Sequence, residues 1–171
     1  MKAPAREEGQ GPEGAIRIAT SRVRGQGGEV EADIAGGLHA GKVPLLLLHG
    51  WTLDRRMWSQ QVSAFAGERL VIALDRRGCG ASSAPPDFPR ESDDVAAVLD
   101  LAGAEKAVVL GMSQAGRVAA AFALARSSRT AGVVFQGARL GSVAAAAPAD
   151  IPIADYVGLV RAGRLDEMKA L

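Results

Sequence analysis

The sequence predicts an α/β domain built on a mainly parallel sheet, and three observations lead there. Short apolar runs at residues 43–48, 70–74, 107–110 and 132–136 alternate with stretches of helical spacing, the strand-helix order of βαβ units. The run Val43-Pro44-Leu45-Leu46-Leu47-Leu48 is apolar throughout, as a central strand covered on both faces requires. The first three runs each end in a loop with turn-forming glycine, at His49-Gly50-Trp51, at Asp75-Arg76-Arg77-Gly78-Cys79-Gly80 and at Gly111-Met112-Ser113.

Taken in order, residues 1–14 are charged and rich in Gly and Pro, which predicts a loose tail. Ile16 and Ile18, then Val30, Ala32 and Ile34, alternate with polar neighbours on either side of Gly25-Gln26-Gly27-Gly28. That pattern is a hairpin with one polar face, suited to the antiparallel margin of the sheet. Residues 54–65 place Met57, Trp58, Val62 and Phe65 near helical spacing, with Arg55, Arg56, Ser59 and Gln60 on the wet side. Pro85, Pro86 and Pro89 keep the next loop irregular. Ser92 is placed to cap a helix whose apolar stripe is Val95, Val98, Leu99 and Ala102. A further helix runs from Gly116 to about residue 125, and residues 132–136 form a short strand. From residue 141 the character changes, and residues 154–160 and 165–171 read as two short helices. The expected plan is a tail at 1–14, a core at 15–140 and a helical segment at 141–171.

Composition narrows the function classes. A chain of 171 residues with 48% hydrophobic and 23% charged residues fits one globular domain. A net charge of +1 without a long basic run gives no argument for nucleic acid or an anionic membrane as partner, and neither is expected. Cys79 is the single cysteine, which excludes an internal disulfide and suggests a reducing compartment. No base accompanies it, so an inert thiol is expected. The first residues carry no apolar signal region and no run approaches a membrane span, so a soluble, cytoplasmic protein is the expectation.

Gly111-Met112-Ser113-Gln114-Ala115 carries the chemistry. A serine on a sharp strand-to-helix turn needs small flanking residues, because helix and strand must approach closely, and Gly111 and Ala115 meet that need. Ser113 Oγ would stand exposed at a helix N-terminus, where the Gln114 N–H can meet a developing oxyanion. An ordinary turn with an N-capping serine would also fit these five residues.

Together LLLLHGW, LDRRGCGAS and GMSQAG, in that order, resemble the α/β-hydrolase superfamily, in its small single-domain esterase-like and lactonase-like branch, over residues 15–135. The resemblance implies Ser113 as nucleophile, with Trp51 giving the second oxyanion N–H beside Gln114. It implies a structural role for His49 and Gly50 in shaping the loop, and for Asp75 in bracing its own loop and Arg77. The implied substrate is a small carboxylic ester, lactone or related acyl compound, cleaved through an acyl-enzyme. No metal or organic cofactor is implied. Serine at the elbow, where dehalogenases and epoxide hydrolases place aspartate, sets the chain apart from those branches.

The same resemblance leaves the proton-handling groups unassigned. Its order along the chain is Ser, acid, His, yet no histidine follows Ser113. Asp150, Asp155, Asp166 and Glu167 fall in a segment similar to the start of a lid, ahead of the strands where an acid belongs. The implied sheet is therefore incomplete, lacking its last strands and helices. Such a sheet has an open edge at residues 133–135, and the chain is expected to be weakly stable, to self-associate or to need a complementing chain. Weak or absent activity alone follows, and a non-catalytic or partner-dependent fragment is the alternative reading. His39 is expected in a solvated surface loop. For His49 to act as base, a ring nitrogen must lie within about 2.6–3.2 Å of Ser113 Oγ, or one water away.

Overall fold

The structure is a computed structural model, and it describes residues 16–138. The expected tail, the helical segment at 141–171 and the acids Asp150, Asp155, Asp166 and Glu167 lie outside the described residues.

Six strands form one sheet in the order β1-β2-β4-β3-β5-β6. Strands β1 (Ile18–Gly25) and β2 (Gly28–Ala35) make the expected hairpin, closing on Gln26 and Gly27 between Gly25 and its register partner Gly28. β2 then pairs antiparallel with β4 (Val71–Leu74). From there the sheet is parallel: β4 on β3 (Leu45–Leu48), β3 on β5 (Ala107–Met112), β5 on β6 (Thr130–Gln136). All four parallel strands therefore end at the same margin of the sheet.

The unbroken apolar runs are explained by burial on both sides. Leu46, Leu48, Ile72, Leu74 and Val109 pack into one cluster with Val95, Val98 and Leu99 of α2 (Glu91–Leu101) and Val118 and Phe122 of α3 (Ala115–Ala125). Their alternates Leu47, Val71 and Ala73 pack on the opposite face with Trp58, and with Val62 of α1 (Ser59–Phe65). Leu46, Leu47 and Leu48 are each 0% exposed. A leucine so buried contributes about 1.5–3 kcal/mol over an exposed one, so β3 anchors both layers. Among the described residues no helix is long and apolar enough to cross a membrane.

Four local expectations are corrected. β5 runs on through Gly111 to Met112 rather than stopping at Leu110. Ser92 is inside α2 instead of capping it, and its hydroxyl accepts a hydrogen bond from Arg126 Nη1 at 2.8 Å. Arg55 is not on the wet side. Its side chain is 14% exposed, because it pairs with Glu31 at 2.6 Å, with Asp33 at 3.0 Å and with the Asp75 carboxylate. The hairpin's polar face is consequently half-covered, with Glu31 buried.

Among the described residues β6 pairs on one side alone, with β5, and its Val134 and Phe135 are each 43% exposed.

Candidate active site

Register brings the two loops singled out by the sequence together. Leu48 pairs with Gly111 across β3 and β5, so two residues further on Gly50 faces Ser113. A Cβ built on Gly50 would lie 3.4 Å from Ser113 Cβ, ordinary van der Waals contact, so the two loops lie directly against each other. Ser113 sits between β5 and α3 with φ at 51°, a left-handed conformation costing a residue with a Cβ about 1–2 kcal/mol. Thr52, in the facing loop, is left-handed too at 63°, and among the described residues no other non-glycine has positive φ. Strained backbone thus gathers where β3 and β5 end.

The elbow is held from three sides. A Cβ on Gly111 would meet Ala115 O at 2.5 Å and the Gly116 Cα at 2.7 Å, so the strand accepts only glycine where the helix crosses it. Ala115 is 0% exposed. The Ser113 N–H donates to Gln136 O of β6 at 2.8 Å. Ser113 and Gln114 themselves are exposed, and Met112 packs against the α1 cluster. Gln114 is the cap residue of α3, so its N–H precedes the intrahelical ladder and is free of an i−4 partner. Trp51 follows Gly50 directly and is half-buried.

His49 is buried, and both ring nitrogens are engaged by backbone. Nε2 accepts from the Arg76 N–H at 3.0 Å, which fixes the tautomer, and Nδ1 then donates to Gly50 O at 2.7 Å. Burial pushes its pKa below the usual imidazole range. No lone pair remains for Ser113, which rules against His49 as base and leaves it shaping the loop. His39 is exposed in the loop before β3, at the opposite margin of the sheet. Asp75 directly follows β4, one strand beyond β3, and is 0% exposed. It braces its loop by accepting from Ala81 N at 2.8 Å, but its arginine is Arg55, and Arg77 instead pairs with Asp94 at 2.5 Å. Cys79 is half-buried, and burial raises its thiol pKa, which disfavours a thiolate.

Arg76 and Glu91 were not among the residues singled out by sequence. The guanidinium makes a two-pronged contact with the Glu91 carboxylate, Nε to Oε2 at 2.6 Å and Nη2 to Oε1 at 3.0 Å, and both residues are buried. Burial pushes the Glu91 carboxyl above its usual range while Arg76 pulls it back. The available signal was two consecutive arginines ahead of a helix opening with acids at 91 and 94, one turn apart and so on one face.

A cavity of about 430 Å3 lined by Leu38, Lys42, Pro44, Gly103 and Lys106 lies at the other margin, before β3 and β5, so backbone geometry rather than volume marks the site. Among the described residues no group of His, Cys, Asp or Glu is arranged to hold a metal ion.

Comparison with known proteins bears on the fold. Residues 43–159 match the model of the alpha/beta hydrolase fold family. Epoxide hydrolase B of Mycobacterium tuberculosis is 38% identical over 96 residues, which is 53% of this chain and 27% of that protein. Pimeloyl-[acyl-carrier protein] methyl ester esterase of Pectobacterium atrosepticum is 34% identical over 90 residues, 53% of this chain and 34% of that one. Among solved structures, the epoxide hydrolase CorEH superposes with a TM-score of 0.66 at 27% identity, covering 91% of this chain and 55% of that one. A thermophilic esterase from Thermogutta terrifontis does so with 0.59 at 33% identity, covering 72% and 46%. The chain thus spans about half the length of these structures and about a quarter to a third of the two curated relatives. The family match spans the four parallel strands β3 to β6 and the serine turn, and the chain belongs to the α/β hydrolase fold family.

Proposed function

We propose that this chain carries the nucleophile half of a serine hydrolase acting on a small carboxylic ester, lactone or related acyl compound. The observation that carries the reading is Ser113, exposed and left-handed at the end of β5 with Gly50 against it. In this reading Oγ attacks the acyl carbon, the carbonyl π pair moves to oxygen, and the backbone N–H groups of Trp51 and Gln114 receive that oxyanion. A single such donor contributes about 3–4 kcal/mol to the transition state. Collapse expels the alkoxide, which takes up the proton released by Oγ, and water then hydrolyses the acyl-serine. A serine rather than an aspartate at the elbow favours acyl substrates over epoxides, although both kinds of hydrolase occur among the relatives.

The proton needs a carrier, and neither His49 nor His39 provides one. This favours a second reading, in which the chain is non-catalytic, or works with an imidazole supplied by another polypeptide through self-association or complementation. Without a base, binding and the oxyanion donors leave about 10³–10⁴-fold over water in the serine protease template. Turnover of p-nitrophenyl acetate by the chain and by Ser113→Ala, each with and without added imidazole, separates the two. A rate that depends on Ser113 and rises further with imidazole supports the nucleophile. Equal rates for both proteins in every buffer remove the enzymatic reading of this chain.

A further inference from the structure

The guanidinium of Arg76 is placed to set the spacing between the two loops that flank Ser113. Two of its nitrogens, Nε and Nη2, are fixed by Glu91 at 2.6 and 3.0 Å. The third, Nη1, is thereby aimed at two acceptors in the loops that follow different strands, His49 O at 3.4 Å and Gln114 Oε1 at 3.3 Å. Its backbone N–H holds the His49 ring at 3.0 Å. One residue at the end of β4 thus touches the residue before Gly50 on the β3 side and the residue after Ser113 on the β5 side. The contacts of Nη1 are longer than ordinary hydrogen bonds, so its position, set by the Glu91 fork, decides whether they form.

We propose that Arg76, locked by Glu91 of α2, is the positioning residue of this site and fixes the distance between the Trp51 and Gln114 N–H groups. This rests on the reading of those two groups as oxyanion donors, though the coupling of the loops stands on its own. A lysine would keep the charge but lose the fork, and with it the simultaneous hold on Glu91, His49 O and Gln114.

The test separates positioning from bulk stability. In the double variant Arg76→Met/Glu91→Met the buried pair becomes apolar, a replacement that folded proteins tolerate. Backbone ¹⁵N relaxation is then measured at residues 50–52 and 113–115 and along β3 and β5. The expected result is order parameters in the strands still near the rigid value of about 0.85, with the two loops falling below about 0.6. Arg76→Lys should loosen the loops in the same way. Gln114→Met breaks no buried pair, so it gives a reading even if the double variant fails to fold, and it should loosen residues 113–115. Loops that stay rigid in the variants that fold overturn the proposal, as does an equal loss of order in strands and loops. If wild-type turnover depends on Ser113, the Arg76→Lys rate should also fall tenfold or more in kcat with KM unchanged. If turnover proves independent of Ser113, the oxyanion reading fails while relaxation still decides the coupling.

Discussion

Replacing Ser113 by glycine should stabilise the fold relative to replacing it by alanine. At φ of 51° any residue with a Cβ carries a left-handed penalty of about 1–2 kcal/mol, and alanine inherits it unchanged. Glycine escapes the penalty but enters folding from a freer unfolded chain, which costs about 0.5–1 kcal/mol relative to alanine. The net expectation is Ser113→Gly more stable than Ser113→Ala by about 0.5–1 kcal/mol, although both lack the hydroxyl. Ser113 is exposed, so Ser113→Ala itself should stay within about 0.5 kcal/mol of the parent. Urea unfolding followed by far-ultraviolet circular dichroism measures this. With m near 1–3 kcal/mol per molar, the midpoint of the glycine variant should lie about 0.2–1 M above that of the alanine variant. Thr52→Gly against Thr52→Ala, at φ of 63°, should behave alike. A glycine variant less stable than its alanine counterpart at position 113 would show that the turn stores no strain, and the elbow argument would lose its basis.

Two other perturbations address the surroundings. Gly111→Val should cost at least the 1–3 kcal/mol typical of overpacking, because its Cβ would press on backbone atoms of Ala115 and Gly116 at 2.5–2.7 Å; an unchanged midpoint in urea would contradict the packing of α3 on β5. Because burial lowers the His49 pKa, the unfolded chain binds a proton below about pH 6.5 that the native chain refuses, so the stability contributed by neutral His49 is present above that pH and is lost as pH falls. The loss approaches about 1.4 kcal/mol per pH unit between the unfolded and folded pKa values, and subtracting the same pH series for His49→Gln should remove it; a parallel series for both proteins would refute the burial of the ring.

The sheet was legible because its strands obey the simplest rule available, continuous burial, and Leu45–Leu48 has few alternatives once four leucines run together. The serine turn was legible for a steric reason: Gly111 and Ala115 are small because α3 crosses β5 there. Long-range charge pairing was not legible. Arg55 reads as solvent-facing from helical spacing, yet carboxylates from β2 and from the loop after β4 converge on it, and nothing local announces partners twenty or more positions away in either direction. Ser92 shows the same limit, since a capping residue type before an apolar stripe was overridden by a helix starting one residue earlier and by Arg126. Arg76 lay within a recognised loop, but its use depends on α2 presenting Glu91 at the right height.

The amide of Ser113 closes the last rung between β5 and β6. The sixth strand is therefore a handle on the serine: a graft, swap or tether that peels Gln136 away tugs first at the backbone of the reactive turn. The β1–β2 hairpin, across the width of the sheet, offers no such grip, and it is the safer place to attach a reporter or a surface anchor.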